Sequence, residues 1–173
     1  MPTLDLARFI RPVPDFPKPG ILFRDITPLL ADAAAFRTAI DLLVEPWRDQ
    51  RLDAIVAVEA RGFLFAAPMA IALSTGVVPV RKPGKLPADT ISHEYDLEYG
   101  RDRLEIHRGI LPPAARVLVV DDVLATGGTA AACARLCEAI GAVVVGTAFL
   151  LEIGGLGGRE RLSPCRIETV LRY

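Results

Sequence analysis

Residues 117–136 read VLVVDDVLATGGTAAACARL, and the residues that could do chemistry begin with the two adjacent carboxylates. The apolar run before Asp121 and Asp122 predicts a buried strand that ends at the acids. In an open parallel sheet, that end is where ligands bind. The loop Ala125-Thr126-Gly127-Gly128-Thr129 follows. It offers consecutive backbone N–H groups, two hydroxyls, two glycines that allow close approach and a helix start behind them, a combination suited to a phosphate monoester. Carboxylates beside an anion would repel it, so they need another partner on the same ligand. A ribose 5-phosphate meets that need. With its phosphate in the loop, the sugar directs its 2- and 3-hydroxyls back to Asp121 and Asp122 as donors to ionised acceptors. No Lys follows the glycine pair and the glycines are not spaced GxGxxG, which excludes a Walker A loop and a dinucleotide fingerprint.

The string VLVVDDVLATGGT resembles the phosphoribosyl-pyrophosphate (PRPP) signature of the type I phosphoribosyltransferases. FPKPGILFRDITPLL at 16–30, VEARGFLFAAP at 58–68, RKPGKLP at 81–87 and LEYG at 97–100 together resemble the adenine-using branch of that family, across about the whole chain. The resemblance implies transfer of the 5-phosphoribosyl group of PRPP to N9 of adenine, giving AMP and pyrophosphate. It also implies magnesium carried on PRPP, and a homodimer. The neighbouring reading is a phosphoribosyltransferase for a 6-oxopurine (xanthine, hypoxanthine or guanine). The remaining one is a non-catalytic PRPP-binding regulator, which normally needs a winged-helix extension or a basic face.

PRPP carries several negative charges, so a basic pyrophosphate pocket must accompany the phosphate loop. Glu59-Ala60-Arg61-Gly62 closes an expected strand at 54–58. Arg61 can offer its guanidinium fork to the departing pyrophosphate and is grouped with the catalytic residues, while Gly62 lets backbone N–H groups approach. The family's usual form has a serine where this chain has Ala60, so one side-chain donor is missing. Arg81, Lys82 and Lys85 flank the next turn, and the resemblance puts some of them on pyrophosphate, in their own or a neighbouring subunit. Magnesium is expected on substrate oxygens, with no direct protein ligands. For the purine, Phe23 supplies an aromatic face and Val123 can close the other side. The resemblance assigns adenine's edge to the backbone C=O and N–H of Leu22, and Arg24 contacts the ring edge or braces the segment. Glu98 is the expected catalytic group, hydrogen-bonded to protonated N7 so that N9 attacks, with Tyr99 beside it in a lid.

These residues require a scaffold. Apolar runs at 54–58, 77–81, 117–121, 143–151 and 166–172 alternate with helical spacing at 32–49, 61–74 and 127–140. The pattern predicts an α/β fold with a mainly parallel β-sheet flanked by helices. Asp32 is the expected N-cap of the first long helix, whose apolar face carries Phe36, Ile40, Leu43, Val44 and Trp47. A short helix is expected near 3–10, no regular structure in RPVPDFPKPG, and a further break at Thr27-Pro28. The polar stretch 82–108 has a turn at Pro83-Gly84 and alternation over 99–106 that suggests an antiparallel ribbon, a length that suits a lid. The chain reads as one phosphoribosyltransferase domain over 1–173, with 1–30 as a purine-side hood and 82–108 as the lid region.

Hydrophobic residues make up 51% of the 173 and charged residues 24%, with a net charge of −1, which suits a packed core and argues against a nucleic-acid surface. The uncharged stretch 62–80 approaches membrane-spanning length. Pro68, the Ser74-Thr75-Gly76 turn and the β-branched residues after it divide it into a helix and a strand, so no membrane partner is expected. Cys133, Cys137 and Cys165 form an odd set without paired spacing, and the N-terminal residues do not resemble a charged region followed by an apolar core and cleavage site, so free thiols in a reducing cytoplasm are expected. His93 and His107 acquire no role.

Overall fold

The computed structural model describes residues 4–97 and 100–173. Contacts divide the chain into an N-terminal unit, Met1–Leu42, and a larger unit, Leu43–Tyr173. Proline decides the form of the first. After a 3-10 helix at Leu6–Phe9, the proline-rich segment expected to be irregular forms a strand, β1 (Arg11–Pro14), paired antiparallel with β2 (Leu22–Asp25) in a two-stranded sheet. Antiparallel pairing alternates between residues that exchange both backbone hydrogen bonds and residues that exchange none. Pro12 and Pro14 oppose Arg24 and Leu22. Lacking N–H groups, they fit the non-bonded positions and leave the Arg11↔Asp25 and Val13↔Phe23 pairs to carry the ladder. The N–H and C=O of Leu22 and Arg24 then point away from β1.

Thr27-Pro28, expected as a break, opens a helix instead. Pro28 lies in the first turn of α1 (Thr27–Ala31), where the N–H it lacks has no intrahelical acceptor, and Asp25 Oδ1 accepts from the Thr27 N–H at 2.9 Å. Helix α2 (Ala33–Val44) begins as expected: Asp32 Oδ1 accepts from the N–H groups of Ala34 and Ala35 at 3.0 and 2.8 Å. A 3-10 turn at Glu45–Trp47, containing Pro46, follows it.

The larger unit follows the predicted alternation. Its elements in chain order are β3 (Ala54–Val58), α3 (Arg61–Ala72), β4 (Gly76–Val80), β5 (Thr90–Leu97), β6 (Gly100–His107), β7 (Arg116–Leu124), α4 (Gly128–Ala139), β8 (Val143–Glu152), α5 (Gly158–Leu162) and β9 (Ile167–Arg172). Five strands form an all-parallel sheet in the order β4-β3-β7-β8-β9, and β5 and β6 form a separate antiparallel hairpin. Every residue of β3 is buried, as a central parallel strand requires. Gly146 of β8 makes room for the fully buried Trp47, since a Cβ there would collide with the indole ring.

Two departures from the expected elements matter for function. The acid-bearing strand does not stop at Asp121. Its pairing with β3 ends at Ala57↔Val120, but its pairing with β8 continues to Leu124↔Glu152. Asp121 and Asp122 therefore lie within β7, past the end of one neighbour and beside the other. The second departure is the hairpin, whose root is built into the core. Leu104 and Ile106 are buried in one cluster with Val56, Val80, Val119 and Leu136, and Arg81 and Glu105 exchange backbone hydrogen bonds of 2.9 and 2.7 Å. Glu98 and Tyr99 lie outside the described residues. Among the described residues no helix is long and apolar enough to cross a membrane.

Candidate active site

Side chains alternate along β7, so Asp122 is buried while Asp121 and Val123 are half-buried. Arg61, the first residue of α3, brings its Nε to 2.9 Å from Asp122 Oδ2. The N–H is not aimed along that line, and Oδ2 remains buried without an aligned donor. The Asp122 N–H donates to Asp121 Oδ1 at 2.9 Å. Burial first, then the neighbouring Asp122 charge, push the Asp121 carboxyl well above the usual carboxylate range. Gly62 has a packing reason in addition to the expected one. A Cβ there would lie 3.0 Å from both Asp121 Oδ1 and the Val120 carbonyl oxygen, so a larger residue would press on the acid pair where α3 begins against β7.

A second set of charges comes from the ends of β3 and β4. The Glu59–Ala60 peptide is cis. Glu59 accepts from Arg81 Nε at 2.8 Å and from the Lys82 N–H at 2.9 Å. Burial alone would raise this carboxyl, but the bonds from Lys82 and Arg81 outweigh it and hold it below its ordinary value. Arg81 also donates through Nη1 to the Lys85 carbonyl at 3.1 Å, and the Lys85 side chain is exposed. Lys82 Nζ lies 3.2 Å from Asp102 Oδ2 on β6. Tyr95 on β5 places its hydroxyl 3.4 Å from that oxygen and 3.4 Å from Thr129 Oγ1. Burial pulls Asp102 upward, but the Arg103 N–H and the Lys82 ammonium carry it lower on balance.

Glu59, Ala60, Arg61, Lys82, Asp121, Asp122 and Thr129 line one cavity of about 250 Å³ together with Tyr95 and Asp102. Tyr95 and Asp102 were not singled out in the sequence. The signal for Tyr95 was its place two and four residues after His93 and Ile91, on the face of β5 that packs inward. The cations of this region are matched in pairs: Arg61 with Asp122, Arg81 with Glu59, Lys82 with Asp102. A ligand bearing both hydroxyls and phosphates can take over both halves of such pairs, the hydroxyls binding the acids and the phosphates the bases.

The loop behind the cavity is built to leave donors open. Gly127 is the N-cap of α4 at φ +75°, a conformation glycine adopts without strain, and no side chain caps the helix. The first-turn N–H groups therefore keep no side-chain acceptor, and the positive end of the helix dipole lies among them. Ala125 and Gly128 line two further, separate cavities, and Thr126, between them in sequence, is half-buried. On the N-terminal unit, Leu22 is exposed, Phe23 and Arg24 are half-buried, and the Phe23 ring meets Phe16 edge-on at 5.1 Å. Among the described residues no three His, Cys, Asp or Glu side chains converge, so a magnesium ion in this cavity would need most of its oxygens from a ligand.

A family profile described as the phosphoribosyl transferase domain matches residues 27–167. An adenine phosphoribosyltransferase of Acaryochloris marina is 54% identical over 170 residues, which cover 98% of this chain and 100% of that protein. The crystal structure of adenine phosphoribosyltransferase from Thermoanaerobacter pseudethanolicus is similar with a TM-score of 0.94 at 50% identity, over 97% of this chain and 98% of the other. The Saccharomyces cerevisiae adenine phosphoribosyltransferase, complexed with adenine and an imino-altritol bisphosphate, is similar with a TM-score of 0.90 at 39% identity, over 96% of each chain. The parallel sheet, the profile match and full-length identity of this order leave one conclusion: the chain belongs to the phosphoribosyltransferase family, in its adenine phosphoribosyltransferase branch.

Proposed function

We propose that this protein transfers the 5-phosphoribosyl group of PRPP to N9 of adenine, releasing AMP and pyrophosphate, a salvage reaction. The observation that carries the reading is a buried Asp122 oxygen without an aligned donor, on the strand that leads into an uncapped helix start. The sugar hydroxyls donate to Asp121 and Asp122, and the 5-phosphate accepts from the N–H groups and hydroxyls of Ala125, Thr126, Gly127, Gly128 and Thr129. As PRPP enters, its pyrophosphate takes Arg61 from Asp122, which frees that carboxylate for the ribose. Backbone groups of Glu59, Ala60 and Gly62, with Lys82, Arg81 and Lys85, complete the pyrophosphate side. Magnesium arrives as part of the substrate, on PRPP oxygens.

Breaking the bond from C1 to pyrophosphate leaves positive charge on the sugar, so catalysis depends mainly on where charges are fixed. Arg61 stabilises the departing pyrophosphate. Glu98 accepts from protonated N7 of adenine and so favours attack by N9, with Tyr99 beside it. The outward N–H and C=O of Leu22 meet adenine's N1 and 6-amino group, Phe23 offers a ring face and Arg24 a contact at the edge. A 6-oxopurine inverts that donor and acceptor pattern and leaves groups unpaired, at about 1–3 kcal/mol each. The protein acts as a homodimer in the cytoplasm.

The test is to incubate the protein with PRPP and magnesium and with adenine, hypoxanthine, guanine or xanthine in turn, following nucleotide and pyrophosphate. The reading predicts AMP from adenine at a kcat/KM at least about tenfold above that for any 6-oxopurine. Equal use of the bases, or no nucleotide, contradicts it. Glu98→Leu should lower kcat by about a hundredfold or more, as expected for a lost acid–base group. Near-normal turnover would remove Glu98 from the mechanism.

A further inference from the structure

The glycine-rich turn at 154–158 takes no part in the reading above, yet it is packed against the phosphate loop. Gly127 approaches Gly158 so closely that a Cβ on Gly127 would lie 2.9 Å from the Gly158 carbonyl oxygen. A Cβ on Gly158 would in turn collide with the Ala125 carbonyl oxygen and lie 2.9 Å from Leu124 Cδ1. The two segments thus meet backbone to backbone, at the first residue of α5. With no side chain between them to adjust, a shift of α5 carries the loop with it.

Buried Leu162 anchors the far end of α5, and the residue after Gly158 ties its start to the sheet. Arg159 donates through Nε and Nη2 to the two oxygens of Glu152, at 2.8 and 2.7 Å. Glu152 ends β8, is buried, and also accepts from Thr169 Oγ1 of β9 at 3.1 Å. The two-point geometry fixes direction as well as distance. A second arginine, Arg172, also pairs with Glu152, at 3.4 Å, but its backbone lies in β9 and not in α5.

We propose that Arg159 is a positioning residue for the 5-phosphate loop, its clasp on Glu152 holding Gly158 at the place that sets the height of Ala125 and Gly127. The inference rests on the reading of residues 125–129 as that loop, and extends it to a residue outside the cavity of Asp121 and Asp122. The test is initial-rate kinetics with PRPP and adenine varied separately, alongside thermal melts, on four variants. Arg159→Ala should raise KM for PRPP about tenfold, while kcat and KM for adenine stay within about twofold. Arg159→Lys keeps the charge against Glu152 but not the two-point clasp, and should raise KM for PRPP about threefold with little change in melting. Arg172→Ala should leave KM for PRPP unchanged, although it removes a charge from the same carboxylate.

The proposal is overturned if PRPP KM stays at the wild-type value in both Arg159 variants, or if Arg172→Ala raises it as much as Arg159→Ala does. Should Arg159→Ala fail to melt cooperatively, the PRPP KM of Arg159→Lys decides in the same way. Thr129→Ala separates the two levels. If it leaves PRPP KM unchanged, the phosphate loop itself is misassigned and the support falls with it; if it raises PRPP KM while the Arg159 variants do not, only the support fails.

Discussion

Asp121 and Asp122 sit in a state that favours a ligand over the ligand-free fold. Two adjacent acids lie beside one cation at the end of a packed sheet, and burial together with the Asp122 charge lifts the Asp121 carboxyl well above 3.8. The unfolded chain gives up that proton near 3.8, whereas the folded chain holds it to higher pH. Between the two values the folded state binds more protons, so stability falls as pH rises through this window. Asp121→Asn removes the loss. The ligand-free variant should melt above wild type near about pH 7, by about 2–4 °C for each kcal/mol recovered, and the gap should close as pH falls toward 4. Calorimetry checks this, and a melting point at or below wild type near neutrality would contradict it. The same variant should bind PRPP more weakly, the usual exchange of stability for function. The acid pair was legible in the sequence because a hydrophobic run into two carboxylates has few structural uses. The partners were not. Arg61 with Asp122, Arg81 with Glu59 and Lys82 with Asp102 join segments that meet only after the sheet and hairpin have formed.

At the scale of elements, periodicity located what local sequence controls and missed what pairing controls. The Asp32 cap, the strand at Ala54–Val58 and the helix after the TGG turn follow from N-cap chemistry, a β-branched run and the conformational freedom of glycine. The cap is separable from the site, so Asp32→Ala should remove about 1 kcal/mol of stability and lower the melting point by about 2–4 °C. KM for PRPP should not move. A change below about half a degree would show the cap bonds to be dispensable. By contrast, β1 was hidden because its prolines argue against a strand until their phase against β2 is known. The reach of β7 past Asp121 was hidden because β8 decides it. The burial of Leu104 and Ile106 was hidden because the stretch around them is polar.

Across the whole molecule, the α/β class was readable from alternating runs, since a strand buried on both faces must be apolar throughout and the helices that cover it must be amphipathic or small. The uncharged stretch 62–80 forms a helix and an edge strand whose outer side is still apolar: Leu64 is 46%, Ile71 82% and Val77 39% exposed. Such a surface suits a second copy of the chain. If the proposed homodimer uses this face, Ile71→Glu should shift it from dimer to monomer in sedimentation velocity, and a dimer that persists in the variant would contradict that placement. In the proposed site, one ribose phosphate spans the acid pair and the helix start. A crystal structure with AMP and pyrophosphate tests it most directly. The AMP phosphate should lie among the N–H groups of residues 125–129, its ribose hydroxyls on Asp121 and Asp122, and pyrophosphate against Arg61 and Lys82. AMP ordered at another place with that loop empty would contradict it.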